Sequence, residues 1–441
     1  MPEYELDIAV IGAGAAGLMA SIWAARAGAG ALRICAFDGA KTLGAKILVA
    51  GGGRCNVTHH AVDETAYAGS TRPAIKKVLR RFDVSRTIEF FKEIGVGLKR
   101  EETGKLFPTS DSARTVLNSL LHAGRLHGVD VLNPWRVASV TRIDRAGGGF
   151  EIAREAAEGA PGRIVHARRV IMCTGGKSLP KSGSDGAGYG MVRALGHTIT
   201  ERVFPALVPL LLPLGHVLTS LSGLTLPATL EVRTSTGKRL ASFSDSTLCT
   251  HFGLSGPSVL DISRYYADAS PDGARLFINV IPALSPATLD RELQFVGKQT
   301  VGRFFASHVP ERMARALCEF AGVDFSQSGS ALSREQRRAL VSVFCDQELP
   351  VRGDRGWNYA EVTAGGVPLG ELHLETMESR ICPGLHLAGE LCDVDGRIGG
   401  FNFQWAWASG FVAGTAAASA CLGGRSSNQD SGSEHPAAQG I

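Results

Sequence analysis

The run Asp7-Ile8-Ala9-Val10-Ile11-Gly12-Ala13-Gly14-Ala15-Ala16-Gly17-Leu18 constrains this chain more than any other segment. An apolar strand-like run ends in Gly-x-Gly-x-x-Gly, and an Ala-rich, helix-forming stretch follows. Strand, then turn, then helix is the context in which this motif binds a dinucleotide. Gly12 is expected to allow the tight turn, Gly14 to let the backbone approach a pyrophosphate, and Gly17 to let helix and strand pack closely. The helix start, with the backbone at Ala13, Ala15 and Ala16, offers N–H groups and a positive dipole end to the phosphates. A second strand-like run, Leu32 to Phe37, ends in Asp38. It lies roughly where an acidic side chain hydrogen-bonds a ribose hydroxyl, about 20 residues or a little more past the motif.

The chain has 441 residues, enough for two or three domains with their own cores. Its charge balance, 46 Lys and Arg against 42 Asp and Glu, argues against nucleic acid as the main partner. The nine cysteines are dispersed and form no Cys-x-x-Cys pair, which argues against a disulfide framework and for a reducing cytoplasm. The first residues, Met-Pro-Glu-Tyr-Glu-Leu-Asp, lack the basic region and apolar core of a signal peptide. Phe401 to Leu422 is apolar, yet rich in Ala and Gly with Asn402 and Gln404 at its start. It reads as a buried helix, and no membrane span is expected.

Two further segments carry chemistry. Gly51-Gly52-Gly53-Arg54-Cys55-Asn56 places three flexible residues before a cation. Such a run suits close approach of backbone to a ligand, with Arg54 facing a pyrophosphate or an anionic ring. Cys55 reads as a buried packing thiol. The segment from Gly389-Glu390 through Asp393 to Gly399-Gly400-Phe401-Asn402 follows an apolar strand end. Its acidic groups can bind polyol hydroxyls, and the Gly-Gly pair opens a helix whose N–H groups can face a ring carbonyl. His251, in a turn-rich loop, could donate a proton or simply be a hydrogen-bonded structural residue. His59-His60 near Cys55 lacks the spacing and ligand count of a metal centre, and none is expected. Lys76-Lys77 and Arg80-Arg81 read as the solvated face of an amphipathic helix within 73–98.

Together these motifs, with Phe107-Pro108, Thr174-Gly175-Gly176, Thr250 to Pro257 and Glu361 to Val367, give the chain a strong resemblance. It resembles the two-dinucleotide-binding-type flavoproteins and, within them, the HI0933-like (YhiN-like) family, from about residue 5 to 422. The resemblance implies an α/β fold: a Rossmann-like FAD-binding domain with an inserted β-barrel-like domain that carries a small helical subdomain. The expected boundaries are 1–200 and 355–423 for the FAD domain, 201–284 and 345–354 for the β-rich insertion, 285–344 for the helical part, and a disordered tail at 424–441. The cofactor contacts it implies are Gly12, Ala13, Gly14, Ala15, Ala16, Gly17, Asp38, Lys46, Gly53, Arg54, Cys55, Asn56, the Val137 backbone at the adenine edge, Thr174, Gly175, Gly176, Gly389, Glu390, Asp393, Gly399, Gly400, Phe401 and Asn402. Asp38 stands where relatives often carry Glu, one methylene longer.

The implied activity is an FAD-dependent oxidoreductase acting on an unsaturated or carbonyl-conjugated small molecule. No second Gly-x-Gly-x-x-Gly follows a strand, so NAD(P)H, as electron donor, would bind transiently. The alternatives are an RNA-modifying or RNA-associated flavoprotein, or a flavin-binding protein without turnover. The catalytic residue, the physiological substrate and the oligomeric state are left open; His251 or Tyr359 could lie near a substrate, and neither is assigned as a catalytic acid.

Overall fold

The computed structural model describes residues 5–143, 148–156 and 162–429. Two compact units emerge, 1–203 with 362–441 and 204–361.

The first unit is built on five parallel strands, in the order Leu385–Leu387, Ile164–Met172, Leu6–Ile11, Ile34–Phe37, Val129–Leu132. The apolar runs of the inner strands, Ile8 to Ile11, Ile34 to Phe37 and Val170 to Met172, are buried on both faces, as parallel strands require, whereas the edge strand leaves Leu132 exposed. An antiparallel pair, Leu372–His373 and Glu378–Ser379, extends one edge. The hairpin of Val137–Arg142 and Phe150–Arg154 joins the amino-terminal half of Ile164–Met172. The fingerprint helix, Ala15–Gly28, packs against the last helix, Phe401–Gln429. Small residues make that contact: a Cβ at Gly410 would lie 2.5 Å from the Ala16 carbonyl oxygen. Large side chains, Trp405 and Trp407, fill the space on other faces of the last helix, with both indole N–H groups bonded to backbone carbonyls.

The second unit is a seven-stranded antiparallel sheet whose long hairpin, Thr225–Arg233 with Arg239–Thr250, supports the helix Pro257–Ala269. Its edge strands, Gln347–Leu349 and Gly353–Asp354, are separated in the chain by residues 350–352 alone. The sheet must therefore curl until its edges meet, a barrel-like form. Helices Pro286–Gln294, Val301–Ala306, Glu311–Phe320 and Arg334–Cys345 pack together, with Phe305 stacked on Phe344 at 3.8 Å.

Three expectations are corrected. The amphipathic stretch 73–98 is two helices, Arg72–Leu79 and Val84–Glu93, because Asp83 caps the second by accepting the Arg86 N–H. Lys76 and Lys77 there are paired with Glu64 and Glu375. Residues 355–361 group with the second unit: the Arg355 N–H donates to Pro209 and the Glu361 N–H to Leu207. The last helix runs through Gln429, past the boundary expected at residue 423, and 430–441 lie outside the described residues. Among the described residues, no helix is long and apolar enough to cross a membrane.

Candidate functional site

Ile11, Phe37, Met172 and Leu387, the carboxyl ends of four adjacent parallel strands, stand in register along one sheet edge. Ligands of open parallel sheets bind in the crevice beyond such ends. The chain leaves these ends through Gly12, Asp38, Cys173-Thr174 and Ala388-Gly389, so the expected segments are brought together. Gly12 turns with φ 95°, and a Cβ there would lie 2.9 Å from the Cys173 carbonyl carbon. A Cβ at Gly17 would overlap the Gly12 carbonyl oxygen. Gly14 differs from both: its φ is an ordinary −78°, and a Cβ would meet nothing within 4 Å. No side chain caps the helix that starts at Ala15, so its first N–H groups, those of Ala15 and Ala16 included, are left for another partner. Gly389 packs onto Ala16, which brings the third motif to this loop.

Asp38 is partly engaged by the backbone. Its oxygens accept the Ala13 N–H and the Ala40 N–H, both at 2.8 Å. With one methylene fewer than Glu, the carboxylate bonds to its own loop, and Ala13 has no N–H to spare for a phosphate. The remaining lone pairs stay available to a ribose. The segment before Val137 is tied to the same loop, since Asn133 Nδ2 donates to the Ala40 carbonyl and the Trp135 N–H to that of Asp38. Val137, which follows this tie, is buried.

Lys46 and Glu390, far apart in sequence, form an ion pair at 2.6 Å. The lysine also donates to Ser178 and Ser184, while Glu390 Oε1 accepts from the Ser178 hydroxyl and the Thr363 N–H. Burial pushes the Glu390 carboxyl up, but Lys46 and these donors outweigh it and hold it below its ordinary value. Most lone pairs of Glu390 are thus taken by the protein, leaving few for a polyol hydroxyl. Gly175 and Gly176 make room for this cluster, a Cβ at Gly176 lying 2.6 Å from Thr363 Cβ. Ser178 and Ser184 carried no motif signal, because they act as partners of buried charge, and Thr363 fell within the Glu361 to Val367 motif without an assigned role.

The second and third motifs also meet. A Cβ at Gly400 would lie 2.6 Å from the Thr58 carbonyl carbon, Trp407 Nε1 donates to the Val57 carbonyl, and Tyr67 donates its hydroxyl proton to the Phe401 carbonyl. Asn402 is spent on Gly396, accepting its N–H and donating to its carbonyl. Gly399 precedes this helix start, and Asp393 packs against Gly69 and Ser70. Arg54 is already engaged by the protein. Its guanidinium pairs with Glu101 at 2.6 Å and stacks 4.0 Å over Phe107. Gly53 is open on its Cβ side to 3.8 Å. Cys55 is buried, and burial pushes its thiol up to about 12. His59 stacks on Phe401.

In the inserted unit, His251 is exposed on the turn between Arg239–Thr250 and Gly253–Ser255, edge-on to Phe252. Arg355 lies 4.2 Å over Phe252 and 3.5 Å over Tyr359.

The first unit fits an FAD on two observations. The Gly14 face of the loop is open, and two buried oxygens, Asn56 Oδ1 and Thr174 Oγ1, have no hydrogen-bond partner. Most buried polar atoms of folded proteins are paired, so an unpaired oxygen beside an open loop is a candidate ligand contact. Thr174→Ala should therefore weaken FAD binding by about 0.5–1.5 kcal/mol, roughly 2- to 12-fold, the net worth of one hydrogen bond. Fluorescence titration of flavin-free protein checks this. An unchanged Kd would direct the hydroxyl away from the cofactor.

The HI0933-like protein Rossmann domain family matches residues 6–416. The 3-dehydro-bile acid delta(4,6)-reductase of Clostridium scindens is 34% identical, covering 93% of this chain and 98% of its own. The ribosomal RNA dihydrouridine synthase of Escherichia coli is 33% identical, covering 92% and 97%. Among solved structures, the 3-ketosteroid delta1-dehydrogenase of Sterolibacterium denitrificans shares the fold with a TM-score of 0.51 at 12% identity, covering 94% of this chain and 99% of that one.

Proposed function

Because the chain belongs to the HI0933-like family and is an FAD-dependent oxidoreductase, we propose that it saturates a carbon–carbon double bond conjugated to a carbonyl, with NAD(P)H as the transient donor of electrons. One observation carries this reading. Two relatives matched over nearly the whole chain have names that describe the same bond change, in a 3-oxo bile acid with 4,6 unsaturation and in the uracil ring of ribosomal RNA. Once reduced by NAD(P)H, a bound flavin would supply a hydride for the carbon β to the carbonyl and return to its oxidised form, while the α-carbon would gain a proton from solvent. The chain's residues bind and orient. The loop Gly12 to Gly17 takes the pyrophosphate, Asp38 with Val137 the adenosine, and Thr174 and Asn56 supply unpaired oxygens. The start of the last helix, held against Thr58, presents its positive end where negative charge develops on the ring.

The first substrate class is a small enone. A uracil in RNA is the second, favoured by the name of the E. coli relative. The pairing of Lys76 and Lys77 with carboxylates counts against their helix as the RNA-binding face. Anaerobic stopped-flow reduction by NADH and NADPH, followed by mixing with a 3-oxo-4,6-diene steroid or a uridine-containing ribosomal RNA fragment, tests both. Reoxidation of the flavin by either supports the reading and selects the class. Reoxidation by neither, with dioxygen still reacting, would overturn it.

A further inference from the structure

We propose that a cleft on the helical part of the inserted unit binds phosphate groups. The cleft, about 530 Å³, lies between one face of Pro286–Gln294 and one face of Arg334–Cys345. Its volume falls within the roughly 300–1,000 Å³ of small-ligand sites, but those are mostly apolar. This lining is charged: Arg334, Arg337 and Arg338 face Asp290, Asp346 and Gln294, and only Pro286 and Val341 are apolar.

The carboxylates are already engaged. Asp346 is paired with Arg233 at 2.7 Å, and Asp290 accepts from Gln294 and lies 3.6 Å from Arg337 Nε. Arg337 is fixed there, with its Nη1 on the Leu332 carbonyl, yet its buried Nε makes no hydrogen bond. Arg334 and Arg338 are exposed and, among the described residues, have no ion-pair partner. They sit four residues apart on one helical face, where like charges repel. They also sit in the first turns of the helix, where the dipole disfavours cations and favours anions. Local helix stability does not explain this placement; an anion that bridges the two guanidiniums does. Guanidinium forks match phosphate oxygens in pairs, and the helix start behind them adds a field of the same sign. The inference rests on the inserted unit alone and does not depend on the reading of the flavin site.

The test uses the FAD-loaded full chain, so that the cofactor's own phosphate site is filled. Inorganic pyrophosphate is titrated by calorimetry and a fluorescent oligouridylate by anisotropy. The variants R334Q/R338Q and R334K/R338K are compared with the parent. The glutamine pair should weaken binding of at least one probe tenfold or more, and the lysine pair should keep it within about threefold. A loss confined to the oligouridylate assigns the cleft to strand phosphates; its salt slope should then fall by about 1.4, at ~0.7 per contact on a single strand. A loss that includes pyrophosphate assigns it to a phosphorylated small ligand. Flavin reduction by NAD(P)H should be unaltered. If the double variant misfolds, R334Q and R338Q are read singly, each expected to show part of the loss. Unchanged affinity for both probes, or a parent that binds neither at millimolar concentration, overturns the proposal.

Discussion

Gly14→Val is expected to yield a folded, colourless protein. Gly14 is unlike the other glycines of its loop, because its backbone angles are open to any residue and a Cβ would meet nothing within 4 Å. Valine there strains nothing in the flavin-free chain. The branched side chain instead fills the space into which a pyrophosphate must come to reach the helix start. Losing several charge-assisted bonds, each worth about 1.5–3 kcal/mol, should raise the Kd for FAD by 10³-fold or more. The flavin-free melting temperature should stay within a few degrees of that of parental protein stripped of flavin. Gly17→Val makes the contrast, since a side chain there overlaps the Gly12 carbonyl and should destabilise the flavin-free fold itself. A Gly14→Val protein that retains FAD with parental affinity would remove the pyrophosphate from this loop.

The parallel sheet was legible because its signals are local. Apolar runs end in turn residues, and the glycine spacing reports contacts within one strand–turn–helix unit. The convergence of Gly12, Asp38, Thr174 and Gly389 follows from the same logic, since ligand loops leave parallel strands at one edge. What was not legible is how each polar side chain divides its bonds between protein and ligand. Asp38, Asn402, Arg54 and Glu390 carry the right chemistry for a cofactor, yet the fold spends much of it on Ala13, Gly396, Glu101 and Lys46. Those partners lie 6 to 344 residues away, and no spacing rule reports them. The reverse also holds. Asn56 and Thr174 are marked by lacking a partner, which only three-dimensional packing reveals. The break at Asp83 was missed for a local reason: apolar periodicity continues through 73–98, and a capping carboxylate outweighs it.

Lys46→Met should be among the most destabilising single changes in the first unit. Lys46 and Glu390 are mostly shielded, with side chains 25% and 18% exposed, and methionine replaces the lysine stem while removing the charge. Glu390 is then left buried with only the Ser178 and Thr363 donors. Breaking one side of a buried pair costs about 3–5 kcal/mol. The pH dependence fixes the cause. In the parent, Glu390 is held below its ordinary value, so its contribution is present above that ordinary value, near 4.5, and is lost as pH falls through the folded one. In the variant, burial acts without Lys46 and pushes the carboxyl up, so the folded protein takes a proton more readily than the unfolded chain. The deficit against the parent should therefore be largest at pH 8 and shrink towards pH 5, as measured by urea unfolding at saturating FAD. Adding Glu390→Gln should restore most of the loss, because the amide can still accept the Ser178 and Thr363 bonds without leaving an uncompensated charge. A deficit that is flat in pH and not relieved by Glu390→Gln would mean that Lys46 stabilises the unit through packing of its stem, and that the charge at Glu390 is solvated in the native protein.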